Sequence, residues 1–144
     1  SVVYTTSIIV PKMQKNNWGR IINVTSVSVK EPLNYLVLSN SIRSAVVAWA
    51  KSLSVDVGKD GVTVNSILTG YFDTERIKDL NKEKSKSLNI SEDEVLEKMK
   101  SLVPINRLGK TEEYGYLVSF LSSDKAAYIN GASIPIDGGL LKSY

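Results

Sequence analysis

Two short apolar runs, Arg20-Ile21-Ile22-Asn23-Val24-Thr25-Ser26 and Val62-Thr63-Val64-Asn65-Ser66-Ile67-Leu68, flank one long amphipathic segment, and that order leaves few folds open to the chain. Gly19 precedes the first run and an Asp60-Gly61 turn precedes the second; both runs read as strands. The first, apolar at consecutive rather than alternating positions, reads as a strand covered on both faces of a parallel sheet, ending near Thr25 or Ser26. Between the runs, from about Leu38 to Val57, the residues Ile42, Val46, Trp49 and Leu53 recur at steps of four and three, with small Ala45, Ala48 and Ala50 alongside. That spacing predicts an amphipathic helix, with Gly58 as its left-handed C-cap. Strand, helix and strand in this order imply a right-handed parallel crossover.

The flanking segments extend the same pattern. Val2, Val3, Ile8, Ile9, Val10 and Met13 suit a first helix over Val2 to Met13, although Pro11 and the β-branched run work against it. From Thr74 to Val103 the chain turns polar and lysine-rich. Ser91 and Glu94 stand there in capping-box spacing ahead of Val95, Leu96, Met99 and Leu102, which predicts a mobile helical insertion. Thr111 is expected to cap a short helix carrying Leu117, Val118 and Leu121. Asn130-Gly131 then turns into a third strand, Ala132 to Ile136, ending at Asp137-Gly138-Gly139, a structural turn to which no chemistry is assigned. At 144 residues the chain suits one domain.

Composition removes whole classes of chemistry. With no cysteine and no histidine there is no disulfide framework, thiolate nucleophile, Cys-ligated zinc or Ser-His-Asp triad, and no metal site is expected. Eighteen basic and fifteen acidic residues are scattered along the chain, so the net charge of +3 forms no concentrated basic face and nucleic acid is not an expected partner. The apolar stretches are only a few residues long and nothing resembles a signal peptide, so neither membrane insertion nor export is expected and a cytoplasmic soluble protein is the default. The chain opens with Ser1 inside what reads as a helix, without a capping residue ahead of it, so an upstream segment is expected.

Taken together, Gly19-Arg20-Ile21-Ile22-Asn23 with Ser26, Val62-Thr63-Val64-Asn65 running into Gly70 and Thr74, Arg107-Leu108-Gly109, Gly131, and Asp137-Gly138-Gly139 resemble, in order and spacing, the second half of short-chain dehydrogenases and reductases. The resemblance covers essentially all of residues 1–144. It implies an α/β fold: a single partial Rossmann-like domain, the C-terminal part of a doubly wound sheet, with about three parallel strands, helices on both faces and residues 74–103 as a substrate-loop insertion. It also implies NAD or NADP as cofactor, a small-molecule carbonyl or alcohol substrate, and a homo-oligomer paired through the helix at 38–57. The family's glycine-rich pyrophosphate turn is not in this sequence, and its catalytic Asn would lie just ahead of Ser1. The strand Ile21 to Thr25 would then be an exposed edge.

Within that resemblance Ser26 matches the catalytic serine at a strand's carboxyl end; its other reading is a hydroxyl that satisfies a loop backbone group. Ser39 falls where the family has its tyrosine and Arg43 where it has its lysine. Serine is too weak an acid to replace a phenol, and an arginine holds a ribose hydroxyl or an oxyanion without exchanging protons. A subgroup related to 3-oxoacyl-acyl-carrier-protein reductases has a similar pattern to Leu38-Ser39-Asn40-Ser41-Ile42-Arg43. Tyr35, about one turn before Ser39, either points its hydroxyl into the same space or packs under its loop. Thr69-Gly70-Tyr71-Phe72-Asp73-Thr74 resembles the family's Pro-Gly turn, with Thr69 for proline. The resemblance places Thr69, Gly70, Phe72 and Thr74 at the cofactor alongside Arg43, although Thr74 equally suits a helix N-cap.

Overall fold

The computed structural model describes residues 1–34 and 36–143. Three strands, β1 (Gly19–Val24), β2 (Val62–Thr69) and β3 (Ser133–Ile136), form one parallel sheet in that spatial order. The helices are α1 (Val2–Lys15), α2 (Val37–Val57), α3 (Glu75–Leu88), α4 (Glu92–Ser101) and α5 (Thr111–Ser122).

The sheet is organised around β2, whose residues Val62 to Leu68 are all buried. Its side chains alternate between two helical layers, as the period of a strand requires. Val62 and Val64 meet Val10 of α1 and Ala50 and Val57 of α2, with Met13, Ile21, Trp49 and Leu53 packed around them. Ile67 faces the other way, onto Leu121 of α5 and Ala126, with Ile22, Leu117, Val118 and Ile134 beside it. Pairing Ile21 with Val64 and Ile67 with Ile134 keeps each apolar stripe in line across neighbouring strands. Full burial of one such side chain contributes roughly 1.5–3 kcal/mol. The α/β class, the parallel sheet and the helices on both faces thus match the expectation from sequence.

Asn65, 1 % exposed at the centre of this sheet, is tolerated because both ends of its amide are used. Its Nδ2 donates to the Ile129 carbonyl at 2.8 Å and its Oδ1 accepts from the Ala132 amide at 3.0 Å, which fixes the turn leading into β3.

Two boundary expectations are corrected. Gly58 is not left-handed: at φ −60° and ψ −38° it begins a tight 3-10 turn, Gly58–Asp60, that prolongs the right-handed path of α2. The reversal falls on Gly61, at φ 71°, where a side chain would collide with the Asn17 carbonyl. Thr111 is the first residue of α5 and not its cap; the cap is Lys110, whose amide donates to the Glu113 carboxylate at 2.7 Å. Pro11 lies inside α1 without ending it. Residues 74–103 contain α3 and α4, and Ser91 and Glu94 form the reciprocal capping box, Glu94 N donating to Ser91 Oγ at 3.1 Å and Ser91 N to Glu94 Oε2 at 2.9 Å. Among the described residues no helix is long and apolar enough to cross a membrane.

Candidate active site

A parallel sheet brings the carboxyl ends of its strands to one edge, and ligands of open α/β sheets collect there. Here that edge carries Val24, Thr69 and Ile136, and α2 starts beside it. The helical repeat stacks Ser39 and Arg43 one turn apart, so Arg43 Nε donates to Ser39 Oγ at 3.3 Å while Nη1 reaches the Val24 carbonyl at 3.4 Å. Among the described residues Arg43 has no carboxylate within ion-pair distance.

Ser39 and Arg43 line a cavity of about 570 Å³ whose apolar walls include Val2, Val24, Leu38, Ile42 and Val46. Asn23 opens onto it from β1. It is only 8 % exposed and its Nδ2 donates to nothing among the described residues. The polar groups facing the cavity are therefore chiefly donors, suited to an acceptor-bearing ligand with apolar parts. An asparagine directly after Ile21-Ile22 and before Val24, in the apolar part of β1, is the sequence signal that would have marked Asn23.

Ser26 stands at the end of β1 but is not part of that cavity's lining. Its hydroxyl oxygen accepts from the Ser28 amide at 3.1 Å and caps the short 3-10 turn Val27–Val29, which is the loop-satisfying reading. The hydroxyl hydrogen is still available for donation. Tyr35 lies outside the described residues.

The turn after β2 holds the remaining expected residues. Gly70 packs so closely on the end of β3 that a Cβ would come within 2.6 Å of Asp137 Cα, a packing requirement for glycine that is independent of any ligand. Phe72 is 7 % exposed, its ring packed against Gly109 and at a steep angle to Tyr114, a packing role in the turn. Thr74 acts as the N-cap of α3, accepting from the Ile77 amide at 3.4 Å. Asp137 is consumed in the turn after β3, accepting from the amides of Gly139 at 3.0 Å and Leu141 at 2.8 Å.

Thr69 has a partner that sequence reasoning missed. Its Oγ1 lies 3.2 Å from the hydroxyl of Tyr114, on α5. Burial pushes the Tyr114 phenol above its usual range, with the Thr69 hydrogen bond and the positive charge of Arg43 pulling the other way. The signal was a tyrosine three residues before Leu117, on the same sheet-facing stripe as Leu117, Val118 and Leu121.

The donor set at this edge fits the nicotinamide and ribose end of a dinucleotide: a cation without a carboxylate partner among the described residues, with hydroxyls at Ser39 and Thr69. The described residues contain no glycine-rich turn for a pyrophosphate.

Comparison with known proteins gives the same picture. The family described as Enoyl-(Acyl carrier protein) reductase matches residues 1–141. The NADPH-dependent reductase BacG of Bacillus subtilis (strain 168) is 33% identical over 131 residues, covering 91% of this chain and 51% of that protein. The 3-oxoacyl-[acyl-carrier-protein] reductase FabG of Pseudomonas aeruginosa is 32% identical over 135 residues, covering 91% of this chain and 49% of that protein. The crystal structure of YwfH, described as an NADPH dependent reductase involved in Bacilysin biosynthesis, superposes with a TM-score of 0.92 at 29% identity, over 99% of this chain and 54% of the other. The chain thus spans about half the length of the curated relatives it matches. It belongs to the short-chain dehydrogenase/reductase family, among the members similar to 3-oxoacyl-acyl-carrier-protein reductases.

Proposed function

We propose that this chain forms the substrate-side half of a nicotinamide-dependent oxidoreductase that interconverts a small carbonyl compound and its alcohol, in the manner of a 3-oxoacyl reductase. The observation that carries this reading is the Ser39–Arg43 pair at the carboxyl edge of the sheet, opening on a cavity with apolar walls. A bound reduced nicotinamide would supply a hydride to the carbonyl carbon, and a proton from solvent completes the alcohol. Arg43 binds a ribose hydroxyl or holds negative charge developing on the carbonyl oxygen, and stays charged while doing so. Ser26 and Ser39 offer hydroxyl hydrogens for orientation; neither is acidic enough to be the net proton source. Thr69 and Gly70 line the approach to the nicotinamide and Thr74 stands further along the turn. Tyr35, outside the described residues, is the candidate to bring a phenol hydroxyl into the space beside Ser39. Residues 74–103 shape the substrate side, and the resemblance favours a homo-oligomer through α2, whose exposed Val55 lies outside the cavity.

A second reading has its own support. Ser39 and Arg43 stand where the family pairs a tyrosine with a lysine, so a relative that binds or assembles without turnover fits the same fold. Titrating NADH and NADPH into the full product of the gene, followed by nicotinamide fluorescence and a carbonyl screen, separates the two. Binding with turnover that falls in Arg43→Ala supports the oxidoreductase. Binding without turnover of any carbonyl leaves the second reading, and no binding of either nucleotide removes the first.

A further inference from the structure

A second cavity, of about 250 Å³, lies at the same carboxyl edge of the sheet, against the end of β3, and shares no lining residue with the cavity of Ser39 and Arg43. Phe72, Val103, Ile105 and Ile136 give it apolar walls. Packing fixes those walls. Gly138 lies so close to the end of the helical insertion that a Cβ there would come within 2.7 Å of Val103 and 2.8 Å of Ile105, and the Ile105 amide donates to the Gly138 carbonyl at 3.4 Å. A cavity bounded by such contacts is formed before any ligand arrives.

The chemistry of its lining is narrow. Arg107 and Glu113 reach it, but each neutralises the other through hydrogen bonds of 2.8 and 2.6 Å. The Asp137 carboxylate is taken up by the amides of Gly139 and Leu141. Tyr71 is the exception. Its backbone is pinned, the carbonyl accepting from the Gly109 amide at 2.9 Å and the neighbouring Phe72 bridging to Gly109. Its half-buried hydroxyl has no hydrogen-bond partner among the described residues. Burial pushes this phenol above its usual range, so it stays neutral. A neutral hydroxyl that can donate or accept, in a cavity without uncompensated charge, suits a neutral ligand. The space lies just under the range of pockets for whole ligands, about 300–1,000 Å³, so it holds a single ring or a short branched chain.

We propose that this cavity is a binding site for a small neutral group, a compact apolar ring or chain carrying one oxygen, which exchanges a hydrogen bond with the Tyr71 hydroxyl. The site goes beyond the oxidoreductase reading and does not depend on hydride transfer. Its occupant is either a free molecule or the far end of a carbonyl substrate whose reacting carbon lies beside Arg43, across the two strand spacings, roughly 10 Å, that separate β1 from β3.

The full product of the gene is titrated with para-fluorophenol and with fluorobenzene, followed by fluorine NMR and by the methyl signals of the protein. Para-fluorophenol is expected to bind with a Kd on the order of 1 mM, as suits a ligand of so few atoms. It should shift the methyls of Val103, Ile105 and Ile136 and leave those of Ile42 and Val46 in place. Tyr71→Phe should weaken para-fluorophenol about three- to tenfold, one neutral hydrogen bond, without changing fluorobenzene. Ile105→Trp, at a position 53 % exposed, fills the cavity and should abolish binding of both probes. No binding of para-fluorophenol at tenfold the expected Kd, methyl shifts confined to other residues, or equal weakening of both probes by Tyr71→Phe would each overturn the proposal. Para-fluorobenzylacetone, a ketone with the same ring, then identifies the occupant. Shifts at Ile136 and Ile42 together uphold the site as the seat of a substrate's tail; shifts at Ile136 alone uphold it as the seat of a free molecule.

Discussion

Arg43 donates its Nε hydrogen to Ser39 Oγ at 3.3 Å, one helical turn away, and its Nη1 to the Val24 carbonyl at 3.4 Å, so the guanidinium is tethered at two points while its charge faces the cavity. A charged hydrogen bond is worth about 1.5–3 kcal/mol. Arg43→Ala is therefore expected to weaken nicotinamide binding by about ten- to a hundredfold, with Arg43→Lys recovering only part of the loss because a single ammonium cannot keep both tethers. Ser39→Ala removes one tether and leaves the charge, so its effect stays within about threefold. Fluorescence titration of the three variants checks the ranking; equal losses for Ser39→Ala and Arg43→Ala would contradict it.

Asn65 ties the middle of the sheet to the turn before β3 through Ile129 and Ala132. Replacing it by leucine strands the half-buried Ile129 carbonyl and Ala132 amide at once, and an unsatisfied group costs about 1–3 kcal/mol when fully cut off from water. Asn65→Leu should lower unfolding stability by about 2–5 kcal/mol in urea titration, although leucine is more apolar.

Gly61 and Gly58 respond in opposite ways to alanine. Gly61 sits at φ 71° against the Asn17 carbonyl, so Gly61→Ala is expected to cost about 2 kcal/mol or more. Gly58 has right-handed dihedrals, and an alanine methyl there would meet only the Asn130 amide nitrogen, at 3.0 Å; Gly58→Ala should change stability by less than about 1 kcal/mol. Denaturant midpoints of the two variants decide between this assignment and one in which Gly58 carries the reversal.

Arg107 grips Glu113 with both terminal nitrogens, at 2.8 and 2.6 Å, and the Lys110 amide adds a third donor at 2.7 Å. These bonds, Arg107 first, hold the Glu113 carboxyl down at about 2 from an ordinary 4.5. A carboxyl depressed in the folded state stabilises fully above its unfolded pKa, and its contribution is lost as pH falls through the window from about 4.5 to about 2. The acid limb of the stability curve should flatten in Glu113→Gln, with little change of shape above pH 5. An unchanged acid limb would show that this exposed cluster contributes nothing measurable.

The elements legible in the sequence are those with a continuous or a periodic apolar pattern. β1 and β2 announce themselves as short runs, Ile21-Ile22 and Val62 to Leu68, and α2 through Ile42-Val46-Trp49-Leu53, which follow one helical repeat along the chain. Ser39 and Arg43 are legible as neighbours for the same reason, being one helical turn apart. The end of α2 is not, because Gly58 and Gly61 carry the same local signal and only the approach of Asn17 from the end of α1 decides which must reverse. Lys110 is hidden as a cap because its role rests on the Glu113 carboxylate, itself placed by Arg107. Of the Thr69–Tyr114 contact only half is legible: Tyr114 falls on the apolar stripe of α5, but its meeting with Thr69 exists only once α5 packs on the sheet beside β2.

The central place of β2 also sets a clock. Its partner on one side is reached across the whole of α2, and its partner on the other only after α3, α4 and α5 have been made. No strand of this sheet can pair with its neighbour in sequence by a simple hairpin, so each ladder must wait for a long loop to close before it returns any free energy. Folding of such a sheet is governed by distant encounters and belongs to the slower end of the single-domain range. Until β3 docks, the most deeply buried strand of the sheet has an open flank, and the time spent in that condition, more than the final stability, decides how much of the protein is lost to aggregation on its way to the native state.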